Sequence, residues 1–183
     1  DKVTSEQRSK AKMVSYGLAY GMEAYGLAQR LAIGVNEASE ILEAYFAAFP
    51  RVKKYMDETI EEARKRGYTE TLFGRRRAIP ELQNPNFRIR QIGERQAMNS
   101  GIQGLAADIF KVALVQLDQA LESEKFESRL VLQVHDEVIV EGVVAEKQEV
   151  EALVRKSMRD AAKLAVPLEV NLAWGETWAA AKA

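Results

Sequence analysis

The spacing of apolar residues changes character once along this chain, and that change limits the fold more than any other feature. Up to residue 121 the apolar positions recur at helical spacing, as in Ile41, Leu42, Tyr45, Phe46 and Phe49. Residues 130–134 and 138–140 then form two apolar, β-rich runs on either side of His135-Asp136-Glu137. Residues 145–162 return to an amphipathic helix, and 166–173 read as a final strand with Pro167 near its start, where a missing donor is tolerated. Many helices followed by a hairpin, a helix and a strand predict an α+β fold: a helical lobe, then part of an antiparallel sheet with a helix packed on it. Three strands make a small sheet, so the expected sheet is incomplete and lacks an N-terminal strand.

Punctuation divides the helical part. Thr4 or Ser5 can cap a helix running to about Tyr20, and Gly21 and Gly26 break or bend the segment after it. Residues 24–32 read as a short helix, and Asn36 as the cap of another. Pro50 interrupts that one, and 51–66 resumes as an amphipathic helix ending at Gly67. Residues 68–72 and 76–79 flank Phe73-Gly74 as a small hairpin, and 80–85 read as loop. Residues 86–100 and 103–121 read as two helices with a bend at Gly101.

Composition excludes several chemistries. With no cysteine among 183 residues, disulfides, thiolate zinc sites and cysteine nucleophiles are ruled out, which a reducing cytoplasm permits. No apolar run approaches a transmembrane span and no signal-peptide pattern is present, so no membrane partner is expected. The chain opens on Asp1 rather than Met, which reads as a piece of something longer. The net charge of −1 argues against a generic nucleic-acid coat. Its distribution is uneven: residues 51–95 hold 12 Lys/Arg against 7 Asp/Glu, and residues 118–169 hold 7 against 12. The basic half could meet a polyanion and the acidic half could hold metal; equally, these could be two solvated faces of unlike sign.

Three constellations carry candidate chemistry. Arg8, Lys12 and Tyr16 are four apart, so on a helix they share a face over roughly 12 Å. Two cations at the positive end of the helix dipole would suit a polyphosphate, with the ring of Tyr16 beside a sugar or base. Gly17 and Gly21 would allow close approach of another chain or a base. The alternative is a solvated basic helix end with Tyr16 and Tyr20 packed in the core. Second, Asp136 and Glu137 at a hairpin tip are rigid oxygen donors of the kind Mg²⁺ takes. Two-metal phosphoryl transfer uses such carboxylates, one ion activating a 3′-hydroxyl and the other neutralising pyrophosphate. Adjacent strand residues face opposite ways, so one full ligand is expected, and a polar turn is the alternative. Third, Arg95, Asn99 and Gln103 would line one face of a helix, with donors suited to the minor-groove acceptors that all base pairs share; a polar surface face is the alternative.

These blocks resemble the family A DNA polymerases, the bacterial polymerase I type. Arg8, Lys12, Tyr16-Gly17 and Tyr20-Gly21 match the fingers-helix pattern RxxxKxxx(F/Y)GxxYG. Gln133 with His135-Asp136-Glu137 matches the third palm motif. Glu94-Arg95, Asn99, Gln103-Gly104 and Asp108 match ERxxxNxxxQGxAAD, with Ser100-Gly101 where many relatives carry a small residue and proline. Leu72 to Arg77, with three adjacent arginines, is similar too; these could clamp phosphate or pair with local carboxylates.

The resemblance implies the right-hand polymerase fold, with residues 1–85 as a helical fingers lobe and 86–183 as the C-terminal part of the palm. It implies that Arg8 and Lys12 contact the triphosphate of a dNTP, with Lys12 taking part in catalysis, and that Tyr16 stacks by sugar and base. Many relatives have Phe at that position, and the Tyr form goes with weaker rejection of 2′,3′-dideoxynucleotides. Tyr20 would guard the templating base and Tyr25 would lie near the template. Arg95, Asn99 and Gln103 would contact the primer–template DNA, and His135 would lie near the primer end. Asp136 would be the Mg²⁺ ligand and Glu137 a secondary carboxylate, both catalytic. The palm motif with the other metal-binding aspartate, the thumb and any proofreading region are not in these residues. The expectation is a two-ion Mg²⁺ site left incomplete and a chain inactive until joined to its N-terminal palm and thumb part. A nucleotide- or DNA-binding module without catalysis is the alternative.

Overall fold

A computed structural model describes residues 3–182 of the chain, which form two compact units dividing between Leu105 and Ala106. The class is α+β, as expected. No helix among the described residues is long and apolar enough to cross a membrane.

The first unit is mainly helical. Helix α1 (Ser5–Ala19) opens with a capping box: Thr4 Oγ1 accepts from the Gln7 N–H at 3.1 Å, and Gln7 Oε1 accepts from the Thr4 N–H at 2.9 Å. Helix α2 (Ala24–Leu31) ends at Ala32 in the left-handed region, and α3 (Val35–Ala48) follows. Gly34 holds the N-cap position of α3, so the helix starts before Asn36, the expected cap. Helix α4 (Pro50–Arg66) has proline at its first position, where its lost donor costs nothing, and ends at Gly67 with φ +79°. Strands β1 (Tyr68–Glu70) and β2 (Arg76–Ala78) pair antiparallel, Tyr68 opposite Ala78, and Pro80–Gln83 form a 3₁₀ turn. Leu27, Ala28 and Ala38 make one buried cluster, with Val14, Met22 and Leu42 against it; Ala63, Ile79, Leu82 and Ala97 make another.

Helix α5 (Phe87–Ser123) is one continuous helix of 37 residues, where two helices with a bend at Gly101 were expected. Gly101 serves packing instead: a Cβ there would lie 3.0 Å from the Tyr55 hydroxyl of α4. Helical glycine costs only about 1 kcal/mol relative to alanine, which tertiary packing readily offsets.

In the second unit β3 (Arg129–Val134) and β4 (Glu137–Glu141) pair antiparallel, Val134 opposite Glu137, with a register shift between Leu130 and Leu132. Helix α6 (Lys147–Arg159) follows a 3₁₀ turn at Val144–Glu146, and a short helix α7 (Trp178–Ala181) closes the described chain. Leu117, Leu121, Val150 and Val154 form the core, with Leu130, Val138, Val140 and Leu172 packed on it. The strand expected at 166–173 does not form; among the described residues this sheet has two strands. Arg155 Nη1 of α6 donates to the Val170 carbonyl at 2.7 Å, taking an acceptor that a ladder would have used.

The root of the β3–β4 hairpin is tied by Glu146. Its carboxylate accepts from the Glu127 N–H (2.9 Å), the Ser128 N–H (2.9 Å) and the Ser128 hydroxyl (2.6 Å), and Ser128 Oγ accepts from the Val143 N–H at 2.9 Å. The Ser128 hydroxyl first, and the Glu127 N–H next, hold the Glu146 carboxyl below the usual carboxylate range. A depressed folded-state pKa gives stability that is complete above the ordinary carboxylate range and is lost as pH falls through the depressed value. Urea unfolding followed against pH is therefore expected to show acid destabilisation. Ser128→Ala, which leaves the Val143 N–H unpaired, is expected to cost about 1–3 kcal/mol at neutral pH and to flatten the acid limb. An unchanged acid limb in the variant would remove Glu146 as its source.

Candidate active site

The first half of the site grows from α1. The capping box fixes where the helix starts and therefore which face Arg8, Lys12 and Tyr16 share. All three are exposed, Tyr16 at 56 %, and the Lys12 ammonium lies 5.5 Å from the centroid of the Tyr16 ring. Tyr20, at 54 %, is exposed as well, so neither tyrosine is a core residue. A cation resting on a ring at an exposed site is worth about 0.5–1 kcal/mol, little enough to be given up to an anionic ligand.

The glycines beside these tyrosines are used by the chain itself. A Cβ on Gly17 would meet Met22 Cε at 2.8 Å, and the Met22 N–H donates to the Gly17 carbonyl at 2.9 Å. Gly21 has φ +68°, and a Cβ there would lie 2.5 Å from Met98 Cε and 2.6 Å from Arg95 Cγ. The room these positions make is filled by Met22, Met98 and Arg95 rather than left open for a base. Only glycine fits a backbone both left-handed and this close to a neighbouring helix.

That close approach brings the end of α1 onto the polar face of α5. Gln103 Nε2 donates to the Tyr20 hydroxyl at 2.7 Å, so the first and third constellations meet inside the first unit. Arg95, one end of that row, is exposed and donates from Nε to the Gln91 carbonyl at 3.4 Å. Asn99 is half-buried between them along the helix. Tyr25 on α2 is exposed at 68 % and stands apart from the core cluster that Leu27 and Ala28 enter. Among the three adjacent arginines, Arg76 binds Glu70 at 2.5 Å and lies over the Tyr68 ring, a local pairing that fixes the β1–β2 hairpin. Asp108 is buried.

The second half sits on the β3–β4 turn. His135 adopts φ +54°, a region histidine visits more readily than most residues, and the Gln133 side chain donates to the His135 carbonyl at 2.7 Å. His135 and Asp136 form the exposed tip; Glu137 is half-buried at the first position of β4. Among the described residues no three His, Asp or Glu side chains gather as a metal cluster. Two adjacent carboxylates on a pinned turn nonetheless fit part of the oxygen shell of a hard divalent cation. The Glu137 carboxylate is met by Lys182, with Nζ 2.9 Å from Oε1. Sequence reasoning missed Lys182, because no local spacing links positions 137 and 182.

The sequence model of DNA polymerase family A matches residues 1–180. DNA polymerase I of Mycobacterium tuberculosis (strain H37Rv) is 51 % identical over 181 residues, covering 99 % of this chain and 20 % of that protein. DNA polymerase I of Streptococcus pneumoniae (strain R6) is 46 % identical over 182 residues, covering 100 % of this chain and 21 % of that protein. Among solved structures, the POL domain of Pol1 from M. smegmatis, in complex with DNA primer-template and dNTP, superposes with a TM-score of 0.97 at 49 % identity, over 100 % of this chain and 32 % of that one. The chain thus spans about a fifth of the length of the curated relatives it matches. Because the family match takes in all four motif blocks and both compact units, the chain belongs to DNA polymerase family A.

Proposed function

We propose that this chain is the nucleotide-selecting and metal-holding part of a template-directed DNA polymerase, which transfers deoxynucleotides to a primer 3′-hydroxyl by two-metal catalysis. Residues 1–85 are assigned to the fingers and 86–183 to the C-terminal part of the palm; the contact-defined units divide elsewhere, within α5. The observation that carries the reading is the exposed row Arg8, Lys12 and Tyr16 on one capped helix face. A buried pair of tyrosines would have argued for packing; an exposed ring with a cation on it argues for a ligand.

In this reading Arg8 and Lys12 bind the triphosphate of a dNTP, and Lys12 stabilises charge developing on the phosphates as the bond to the α-phosphorus is exchanged. Tyr16 places its ring beside the sugar and base. Tyr20, held by Gln103, stands where the templating base arrives, and Tyr25 lies along the template. Arg95, Asn99 and Gln103 donate to minor-groove acceptors, which tests pair geometry without reading sequence. Asp136 and Glu137 would hold Mg²⁺, which when bound supplies charge neutralisation at the reacting phosphate. His135, at the same tip, lies toward the primer end. The remaining metal-binding aspartate comes from an N-terminal palm and thumb part, so the chain by itself is inactive. The working compartment is the bacterial cytoplasm, on the nucleoid.

Primer extension with Mg²⁺ and dNTPs tests this directly. The chain alone is expected to give no product, and the chain joined to a separately made N-terminal palm and thumb part is expected to extend. Failure in both, with the chain folded and binding primer–template in a salt-sensitive way, would leave a binding module without catalysis. In the extending mixture, Asp136→Ala is expected to reduce turnover to background; turnover left intact would end the metal role.

Lys12→Ala in the same mixture is expected to lower kcat/KM for dNTP by about 10²- to 10³-fold, as removal of a preorganised donor to developing charge does elsewhere. Unchanged triphosphate affinity and turnover would place the phosphate site elsewhere.

A further inference from the structure

The C-terminal segment is folded back on the β3–β4 hairpin by several independent devices. Gly142, just after β4, receives the Trp174 ring; a Cβ there would lie 2.4 Å from that ring. The Lys147 ammonium lies 5.2 Å from the same ring. At Gly175 a Cβ would stand 2.6 Å from the Ala181 backbone nitrogen, so glycine lets α7 turn back over it. Thr177 caps α7, its Oγ1 accepting from the Ala180 N–H at 3.2 Å. Lys182, the C-cap residue, then lies 4.7 Å from the Trp178 ring and 2.9 Å from Glu137 Oε1. Each step narrows where the ammonium can be, and the result is a cation on a carboxylate next to Asp136.

We propose that Lys182 is the resident counter-ion of Glu137: its ammonium occupies the carboxylate at the hairpin tip, and a divalent cation must displace it. The inference rests on the reading of Asp136 and Glu137 as metal-holding residues. An ammonium and a divalent cation attracted to one carboxylate repel each other, so each weakens the other by the same factor. Both Lys182 and Glu137 are part-exposed, at 52 % and 43 % by side chain, so the coupling is modest. Trp178 retains the released ammonium near the site, so the exchange is reversible without unfolding α7.

The test is Mn²⁺ binding to the 183-residue chain, followed by the paramagnetic resonance of the free ion, in wild type, Lys182→Met, Lys182→Arg and Asp136→Asn. Lys182→Met is expected to tighten Mn²⁺ about 2- to 5-fold, the range an exposed ion pair can supply, while Lys182→Arg stays at the wild-type value. Equal or weaker binding in Lys182→Met overturns the proposal, as does Lys182→Arg behaving like Lys182→Met, or a wild-type chain that takes up no Mn²⁺ at millimolar concentration. Asp136→Asn separates this inference from the reading beneath it. If Asp136→Asn loses the ion while Lys182→Met changes nothing, the metal site stands and the counter-ion role falls. If Lys182→Met tightens binding and Asp136→Asn does not weaken it, the counter-ion role stands and Asp136 is not the ligand.

Discussion

Along α5, Gly93, Ala97, Gly101 and Gly104 form a stripe of small residues, and the first unit is assembled against it. A Cβ on Gly93 would lie 2.9 Å from the Leu82 backbone nitrogen, and one on Gly104 would lie 2.7 Å from Thr71 Cγ2. Ala97 is fully buried with Ala63, Ile79 and Leu82. The 3₁₀ turn, α4 and the hairpin region can therefore approach the helix almost to backbone contact. On a helix of 3.6 residues per turn these four positions fall within about 80° of one another, and Arg95, Asn99 and Gln103 centre roughly opposite. Burying the small stripe thus aims the polar row away from the core. The same helix takes the end of α1 through Gly21 and Tyr20, so one packing arrangement orients two of the three candidate constellations.

Where a candidate site rests on local backbone geometry, that geometry was readable in the sequence. The helix over α1 follows from Thr4 and Gln7, and the shared face of Arg8, Lys12 and Tyr16 follows from the helix. The tight turn at His135-Asp136 follows from two β-rich runs that must pair. Errors arose where a distant contact overrode a local signal. Gly101 looks like a break between two helices when only its neighbours are known, but α5 runs through it, and Tyr55, far away in sequence, packs against the glycine. Residues 166–173 have strand texture, yet Arg155 claims the Val170 carbonyl and Leu172 is drawn to the α5–α6 core. Gly17 and Gly21 were read as room for another chain or a base, but the space is filled by Met22, Met98 and Arg95 of this chain, which no spacing rule names. Lys182 was invisible for the same reason: its partner is set by how Trp174, Gly175 and Thr177 turn the chain.

Several of the candidate site groups have a partner within the chain. Lys12 rests on Tyr16, Tyr20 is bonded by Gln103, and Glu137 is paired with Lys182. Each contact is exposed or part-exposed, where a polar or ionic pair contributes only about 0–1 kcal/mol. Buried versions of the same pairs would be costly to break, because desolvated partners left behind would go unsatisfied. At the surface, water replaces the lost partner. Such contacts can therefore restrict a side chain to one region of space and still be exchanged for another partner at small cost.

The stability needed to hold these groups in place comes from elsewhere, from apolar clusters that contain none of them. Leu27, Ala28 and Ala38 anchor α2 and α3; Ile79, Leu82 and Ala97 anchor the hairpin to α5; Leu117, Leu121, Val150 and Val154 anchor the second unit. None of Arg8, Lys12, Tyr16, Tyr20, Arg95, Gln103 or Asp136 is buried. Separating the two tasks matters for the proposed function, in which the site would accept any of four bases. A substrate that varies in shape can be met only by groups that move at low cost, and such groups keep their aim only if the backbone beneath them does not move with them. The small-residue stripe of α5 and the Glu146 tie at the hairpin root supply that rigidity, and the exposed pairs supply the exchange.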